Sequence, residues 1–173
     1  MDSNRTGIHE VDFCGQIAAA VIALGEKDPG IAPIHSARVE GLGRGPSARK
    51  RSDLRFFDKN GTLILCGEVK LPGTLEGRSP FDSALCQDAA RKADNLRTQF
   101  FFTWNVNEFV LWDRSLWDKA LLDRRVAQWR LDRNLRDQYD VAREDNLNLI
   151  KARFLPSLLR EIADIISPAF SGD

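Results

Sequence analysis

Long apolar runs are missing from this chain. The longest, Ile17 to Leu24 and Phe100 to Trp104, fall far short of the roughly 20 residues that span a bilayer, so a soluble protein without a membrane partner is predicted. Met1 to Glu10 is polar and acidic and lacks the apolar stretch of a secretory signal, which makes the cytoplasm the expected compartment. Cysteine is scarce: Cys14, Cys66 and Cys86 are odd in number and widely spaced, as reduced thiols are, so neither a disulfide framework nor a zinc cluster is expected. Histidine is scarcer. His9 and His35, without cysteine partners, make neither a zinc site nor a His-Asn-His nuclease. Net charge is absent too, since 25 Lys and Arg balance 25 Asp and Glu. Bulk charge therefore advertises no polyanionic partner, and any nucleic-acid contact has to come from local patches.

What is present is ample for a core. The 173 residues are 43% hydrophobic and 9% aromatic, with 29% charged, which excludes a disordered chain and suits one domain. Apolar residues at helical spacing, among them Ile8, Val11, Ile17, Val21 and Leu24, predict a first helix from near Gly7 to Gly25, stopped by Asp28-Pro29-Gly30. Glu40 to Lys50, EGLGRGPSARK, reads as a basic loop. Gly45 is followed by Pro46-Ser47 rather than Lys-Ser/Thr and no apolar strand precedes it, so this loop is no phosphate loop.

Ser52 to Phe57 and Thr62 to Lys70 favour strand. Asp58-Lys59-Asn60-Gly61 between them is a hairpin signal, because Asn and Gly accept positive φ cheaply. A helix is predicted from Ser79 as N-cap, with Pro80 at its first position and Asp82 as capping-box acid, to about Arg97. Gln99 to Thr103 and Glu108 to Trp112 are further strands joined around Asn105-Val106-Asn107. Leu116 to Leu131 mixes helical spacing with a candidate strand at Arg125 to Leu131, and Leu147 to Ile166 reads as an amphipathic helix bent or broken near Pro156. This order predicts a mixed α/β domain with one central sheet over residues 1–140, and a helical extension or linker over 141–173. The tryptophans 104, 112, 117 and 129 read as core or interdomain surface rather than as base-stacking platforms.

The chemistry concentrates on the first hairpin. Side chains alternate along a strand, so Glu68 and Lys70 share a face while Val69 points away and offers its backbone carbonyl. A turn at residues 58 to 61 brings Asp53 level with Glu68, at the ~5 Å of directly paired strand residues. Two carboxylates and an ammonium can therefore converge. Hard oxygen donors of this kind suit Mg²⁺, which takes one or two carboxylates and keeps several waters. A lysine beside them stabilises charge developing on a phosphate. Arg44, Arg49, Lys50, Arg51 and Arg55 against the single acid Asp53 make a local basic patch that could hold a phosphate backbone.

Asp53, then Glu68-Val69-Lys70 after a hairpin, then Gln87 on the following helix, resembles the PD-(D/E)XK nuclease signature. DLRFFDKNGTLILCGEVKLPG followed by a Gln-bearing helix is similar to the N-terminal nuclease domain of type I and related restriction enzymes. The resemblance covers about residues 7 to 112. It implies a restriction-endonuclease-like fold, a central mixed sheet flanked by helices, and metal-dependent hydrolysis of DNA that leaves a 5′-phosphate and a 3′-hydroxyl. Asp53 and Glu68 would bind Mg²⁺, or Mn²⁺ as substitute, with the Val69 carbonyl. Lys70 would orient or activate the attacking water, and Gln87 would help position the site. Glu10 matches an acid that some members contribute from the first helix through a metal-bound water. Arg49, Lys50, Arg51, Arg78 and Arg91 are the candidate contacts to double-stranded DNA. Two departures stand out: Ser52 replaces the family's proline before Asp53, and Arg91 stands where the type I motif has tyrosine. Since no motor, methyltransferase or specificity motif fits in this length, the resemblance implies a domain of a larger restriction or phage-defence protein.

Plainer readings stand beside these. Glu68 and Lys70 could be solvated strand residues, although Leu63 to Cys66 reads as buried on both faces, so two charges at its end need a reason. Asp53 could face a cation, Gln87 could be an ordinary surface residue, Arg91 could pair with Asp88 or Asp94, and Glu10 could simply favour a helix start. A non-catalytic DNA-binding or assembly module of the same fold, and an RNA nuclease, remain as alternatives.

Overall fold

The computed structural model describes residues 7–40, 53–116 and 118–170, with Asp53 described through its backbone alone. The protein is α/β: a six-stranded mixed sheet flanked by helices. The strands lie in chain order, β1 (Ser36–Glu40), β2 (Asp53–Phe57), β3 (Leu63–Val69), β4 (Phe100–Trp104), β5 (Glu108–Asp113) and β6 (Arg125–Arg130). Every neighbouring pair is antiparallel except β3 and β4, which run parallel. A parallel pair needs a crossover, and helix α2 (Ser83–Leu96) supplies it.

The β2–β3 hairpin forms as its turn residues dictate. The Asp58 carboxylate accepts from the Asn60 and Thr62 amides at 2.8 and 2.9 Å, and Gly61 takes φ +81°. That positive φ is open to glycine at no steric cost. In the resulting register Asp53 is the Cα partner of Glu68, Leu54 of Gly67 and Arg55 of Cys66.

Two apolar layers cover the sheet. On one face, Leu65, Val69, Phe100, Phe102, Trp104, Phe109 and Leu111 join Phe13, Ile17 and Val21 of helix α1 (Glu10–Lys27) and Leu158, Leu159, Ile162 and Ile166 of helix α5 (Leu155–Phe170). On the other, Cys66, Phe101, Val110 and Trp112 meet Cys86, Ala89 and Ala93 of α2. These small α2 residues let the helix lie close to the strands. The triple phenylalanine of β4 is buried on both faces, as a strand between two layers must be.

Several boundaries differ from the sequence reading. Helix α2 starts four residues beyond the expected cap. Asp82 is the N-cap, accepting from the Leu85 amide at 3.1 Å, while the Ser79 hydroxyl accepts from the Phe81 amide in a separate turn. The cause is tertiary: the buried Thr103 hydroxyl donates to the Pro80 carbonyl at 2.6 Å and fixes residues 79–82 outside the helix. Strand β1 carries too few apolar residues, Ala37 and Val39, to be legible, and exists because β2 pairs with it. Arg125–Arg130 is indeed a strand, the sixth. After two short helices, α3 (Gln138–Ala142) and α4 (Glu144–Leu149), the break near Pro156 takes the form of a π-helical turn, Ile150–Phe154, that leads straight into α5. The residues of α5 belong to the same core as α1. No helix among the described residues is long and apolar enough to cross a membrane.

Candidate active site

β3 ends at the C-terminal edge of the parallel pair, where α2 and the start of α1 leave a cleft of about 820 Å³. Its lining includes Glu68 and Lys70 from the end of β3, His9 and Glu10 from the start of α1, Glu76 from the turn Glu76–Arg78, and Leu85 and Asp88 from α2. Glu68 and Lys70 thus open onto one space, as strand alternation requires, and the Lys70 amide continues the ladder by donating to the Trp104 carbonyl at 2.9 Å. The Val69 side chain goes the other way, fully buried in the α1 and α5 layer.

Each ammonium in the cleft has acids around it. Lys70 Nζ stands 3.6 Å from Glu10 Oε1 and 3.8 Å from Glu76 Oε2. Glu68 is only 2% exposed, and its Oε1 forms an ion pair with Lys92 of α2, whose side chain is 19% exposed. A carboxylate so far from water needs a cation near it. The acids of the lining are Glu10, Glu68, Glu76 and Asp88. Arg91 reaches Asp88 from outside, at 2.7 Å, with over half its side chain exposed.

The expected residues therefore divide. Glu68, Lys70 and Glu10 come together, and the ladder sets the Asp53 backbone directly opposite Glu68. Gln87 stays apart. It is exposed on α2, outside the cleft lining, and its amide nitrogen donates to the Ser83 hydroxyl at 3.3 Å. The reason is helical phase: Leu85, Asp88 and Lys92 share the face toward the sheet edge, and Gln87 falls beside it. Arg78 is exposed on its turn and is also outside the lining. Arg49, Lys50 and Arg51 lie outside the described residues.

Lys92 and Glu76 were not singled out from the sequence, and Asp88 was named there only as an ion-pair partner for Arg91, which it is. The signal for Lys92 was its position seven residues after Leu85 and four after Asp88, combined with the need of a buried Glu68 for a counter-charge.

Among the described residues no group of three or more His, Cys, Asp or Glu side chains is arranged to hold a metal ion. The buried Glu68 carboxylate and the adjoining Val69 carbonyl are hard oxygen donors, of the kind Mg²⁺ or Mn²⁺ takes from a protein. Comparison with protein-family models, curated proteins and solved structures finds no match to this chain.

Proposed function

We propose that this protein is a metal-dependent DNA endonuclease of restriction-endonuclease-like fold, the nuclease domain of a restriction or phage-defence protein. One observation carries the reading: Asp53 and Glu68 are ladder partners, and Glu68 shares its cleft with Lys70. Chance pairs of Asp and Glu-x-Lys are common in sequences, but a pair in register at the end of a buried strand is not.

In this reading Asp53, Glu68 and the Val69 carbonyl hold the cation. When bound, Mg²⁺ supplies a Lewis acid for the phosphate and lowers the pKa of a water. Lys70 orients the attacking water and meets the negative charge that develops on the phosphate. Glu10 and Glu76 hold the Lys70 ammonium from two sides, which limits its rotamers before any substrate arrives. The layer of α1 and α5 behind Val69 keeps the β3 end rigid and dry on its far side. Double-stranded DNA is the substrate, with Arg91 on the rim of α2 as one phosphate contact and further domains or subunits supplying sequence choice.

The test is incubation of supercoiled plasmid with Mg²⁺ or with chelator, using wild type and Lys70→Ala. Nicking that requires Mg²⁺ and disappears with Lys70→Ala is the expected result. Cleavage indifferent to both removes the assignment.

A second reading draws on the Glu68–Lys92 ion pair, which neutralises the best metal ligand within the protein itself. It makes the chain a non-catalytic DNA-binding or assembly module of the same fold. Calorimetry with Mn²⁺ separates the two, since only the nuclease binds the ion and loses it in Asp53→Ala.

A further inference from the structure

We propose that the end of the sheet away from the cleft carries a second site, a phosphate-binding pocket in which the guanidinium groups of Arg114 and Arg124 take one anion between them. The proposal goes beyond the nuclease reading and does not depend on it.

The end of α2, the start of β4 and the segment after β5 leave a cavity of about 450 Å³. Among the described residues its lining is Asp94, Gln99, Arg114, Ser115 and Arg124. The cleft of Glu68 and Lys70 lies at the other end of β4, where the Trp104 carbonyl accepts from the Lys70 amide. At roughly 3.3 Å per residue, β4 alone separates the two by about 13 Å. A single phosphate therefore does not reach both.

Both arginines are planted in the same way. Arg114 Nε donates to the Thr98 carbonyl at 2.8 Å, and Arg124 Nε donates to the Lys119 carbonyl at 3.2 Å. Each bond engages the donor nearest the stem and fixes the guanidinium plane at the cavity wall, so recognition falls to the terminal nitrogens. Arg114 is anchored again by its own amide, which donates to the Gln99 carbonyl at 2.7 Å. A planar fork already held in place loses little rotamer freedom on taking an oxyanion. Two such forks on one cavity suit a phosphate group, with three strong acceptor oxygens, better than a carboxylate with two.

The acids nearby do not close the site. Asp94, the acid of the lining, stands 3.8 Å from Arg114 Nη1 with 62% of its side chain exposed, and so loose a pair contributes little in water. Asp113 lies outside the lining. Its Oδ1 already accepts from the Ser115 amide at 2.8 Å, the Ser115 hydroxyl at 2.6 Å and the Gln99 side-chain amide at 3.5 Å. Asp94 is thus the rival that an incoming anion replaces on Arg114.

The test uses the full chain with inorganic phosphate as probe, read by the NMR signals of the arginine Nε–H groups and by calorimetry. Phosphate should move the Arg114 and Arg124 signals saturably, with a millimolar dissociation constant, and chloride at matched ionic strength should not. Arg124→Met should weaken phosphate binding about tenfold, and Arg114→Lys, which keeps the charge without the fork, about threefold or more. Asp94→Asn should strengthen it about threefold, because the rival charge is gone. If Arg124→Met does not fold, the other two variants decide. No saturable movement with phosphate, an equal response to chloride, or an affinity unchanged in every folded variant overturns the proposal.

Two further arms, both in chelator so that nothing is cleaved, find the source of the phosphate. Movement of the same two signals by a short DNA duplex, lost in Arg124→Met, assigns the pocket to the nucleic-acid backbone. Movement by a 5′-mononucleotide alone assigns it to a free phosphate ester. The plasmid assay decides the nuclease reading separately, so failure of one leaves the other standing.

Discussion

Thr103 lies directly across the parallel ladder from Glu68. Its hydroxyl, fully buried, donates to the Pro80 carbonyl at 2.6 Å and accepts from Trp112 Nε1 at 3.0 Å. One side chain on β4 thus couples the strand that carries Glu68 to the turn that launches α2, the helix that carries Lys92.

Replacing that hydroxyl with a methyl group of the same shape should expose the coupling. Thr103→Val leaves the buried Trp112 indole N–H without this partner and leaves the Pro80 carbonyl with the weaker Cys86 thiol donor at 3.2 Å, and one such buried loss costs about 1–3 kcal/mol. Urea unfolding should show a stability drop of roughly 1–3 kcal/mol. A drop below about 0.5 kcal/mol would mean that water or a shift of Pro80 replaces the hydroxyl.

Gln87 and Glu10 should part company in activity. Gln87 is exposed outside the cleft and Glu10 stands 3.6 Å from the Lys70 ammonium. In the plasmid assay Gln87→Ala should stay within about twofold of wild type, whereas Glu10→Gln should slow cleavage roughly tenfold or more through a misplaced Lys70. The reverse order would transfer the positioning role from α1 to α2.

Gly67 separates Cys66 from Glu68, and a Cβ there would come within 2.4 Å of the Phe102 ring on the neighbouring strand. That ring stacks on Phe109 at 4.6 Å and meets Phe56 edge-on at 5.5 Å, so it has no room to retreat. Gly67→Ala should therefore destabilise by about 1–3 kcal/mol, as overpacking does. It should also weaken Mn²⁺ binding, because the strand would shift next to Glu68. Unchanged unfolding and unchanged binding would show that Phe102 yields freely.

Burial pushes the Cys86 thiol up to about 11, aided by the negative charge of Asp82 and opposed by a hydrogen bond with Thr103. Folded protein then keeps this proton while an unfolded thiol, titrating near about 8.5, has lost it. The unfolded state binds fewer protons in that interval, so stability should fall as pH rises from about 8.5 toward 11. The thiolate absorbance of wild type minus that of Cys86→Ser gives the midpoint directly. A midpoint near that of a free thiol would contradict the burial.

Asp28 closes α1 and bonds to Arg160 of α5 at 2.7 Å, and this guanidinium, with the Gly30 amide, holds the Asp28 carboxyl below the usual carboxylate range. A lowered folded value adds stability above the ordinary carboxylate pKa, and that stability is lost as pH falls through the lowered value. The contact is surface-exposed and screened, so the effect belongs to the acid limb alone. An NMR titration should find the Asp28 midpoint rising toward the ordinary carboxylate range in Arg160→Met. No movement would assign the lowering to the Gly30 amide.

The local features of this protein were legible in its residues. Asn60-Gly61 between two apolar runs is enough to form the hairpin and to set its register, and register is what makes Asp53 and Glu68 partners. The alternation Glu68-Val69-Lys70 is enough to turn two charges one way and an apolar side chain the other. Both depend on contacts between residues close in the chain, where backbone chemistry decides.

Lys92 on Glu68, Glu10 on Lys70, the displaced start of α2 and the edge strand β1 were decided only by the tertiary structure. Each joins elements whose separation in the chain carries no local pattern: a lysine on an amphipathic helix looks the same whether it faces water or a buried carboxylate. Only the packing of Ala89 and Ala93 against the sheet brings α2 close enough for that charge to be used. Sequence alone could thus determine which groups a hairpin presents, and the long-range packing of helices determines which charges surround them, because burial turns an ordinary carboxylate into one that cannot stand without a cation.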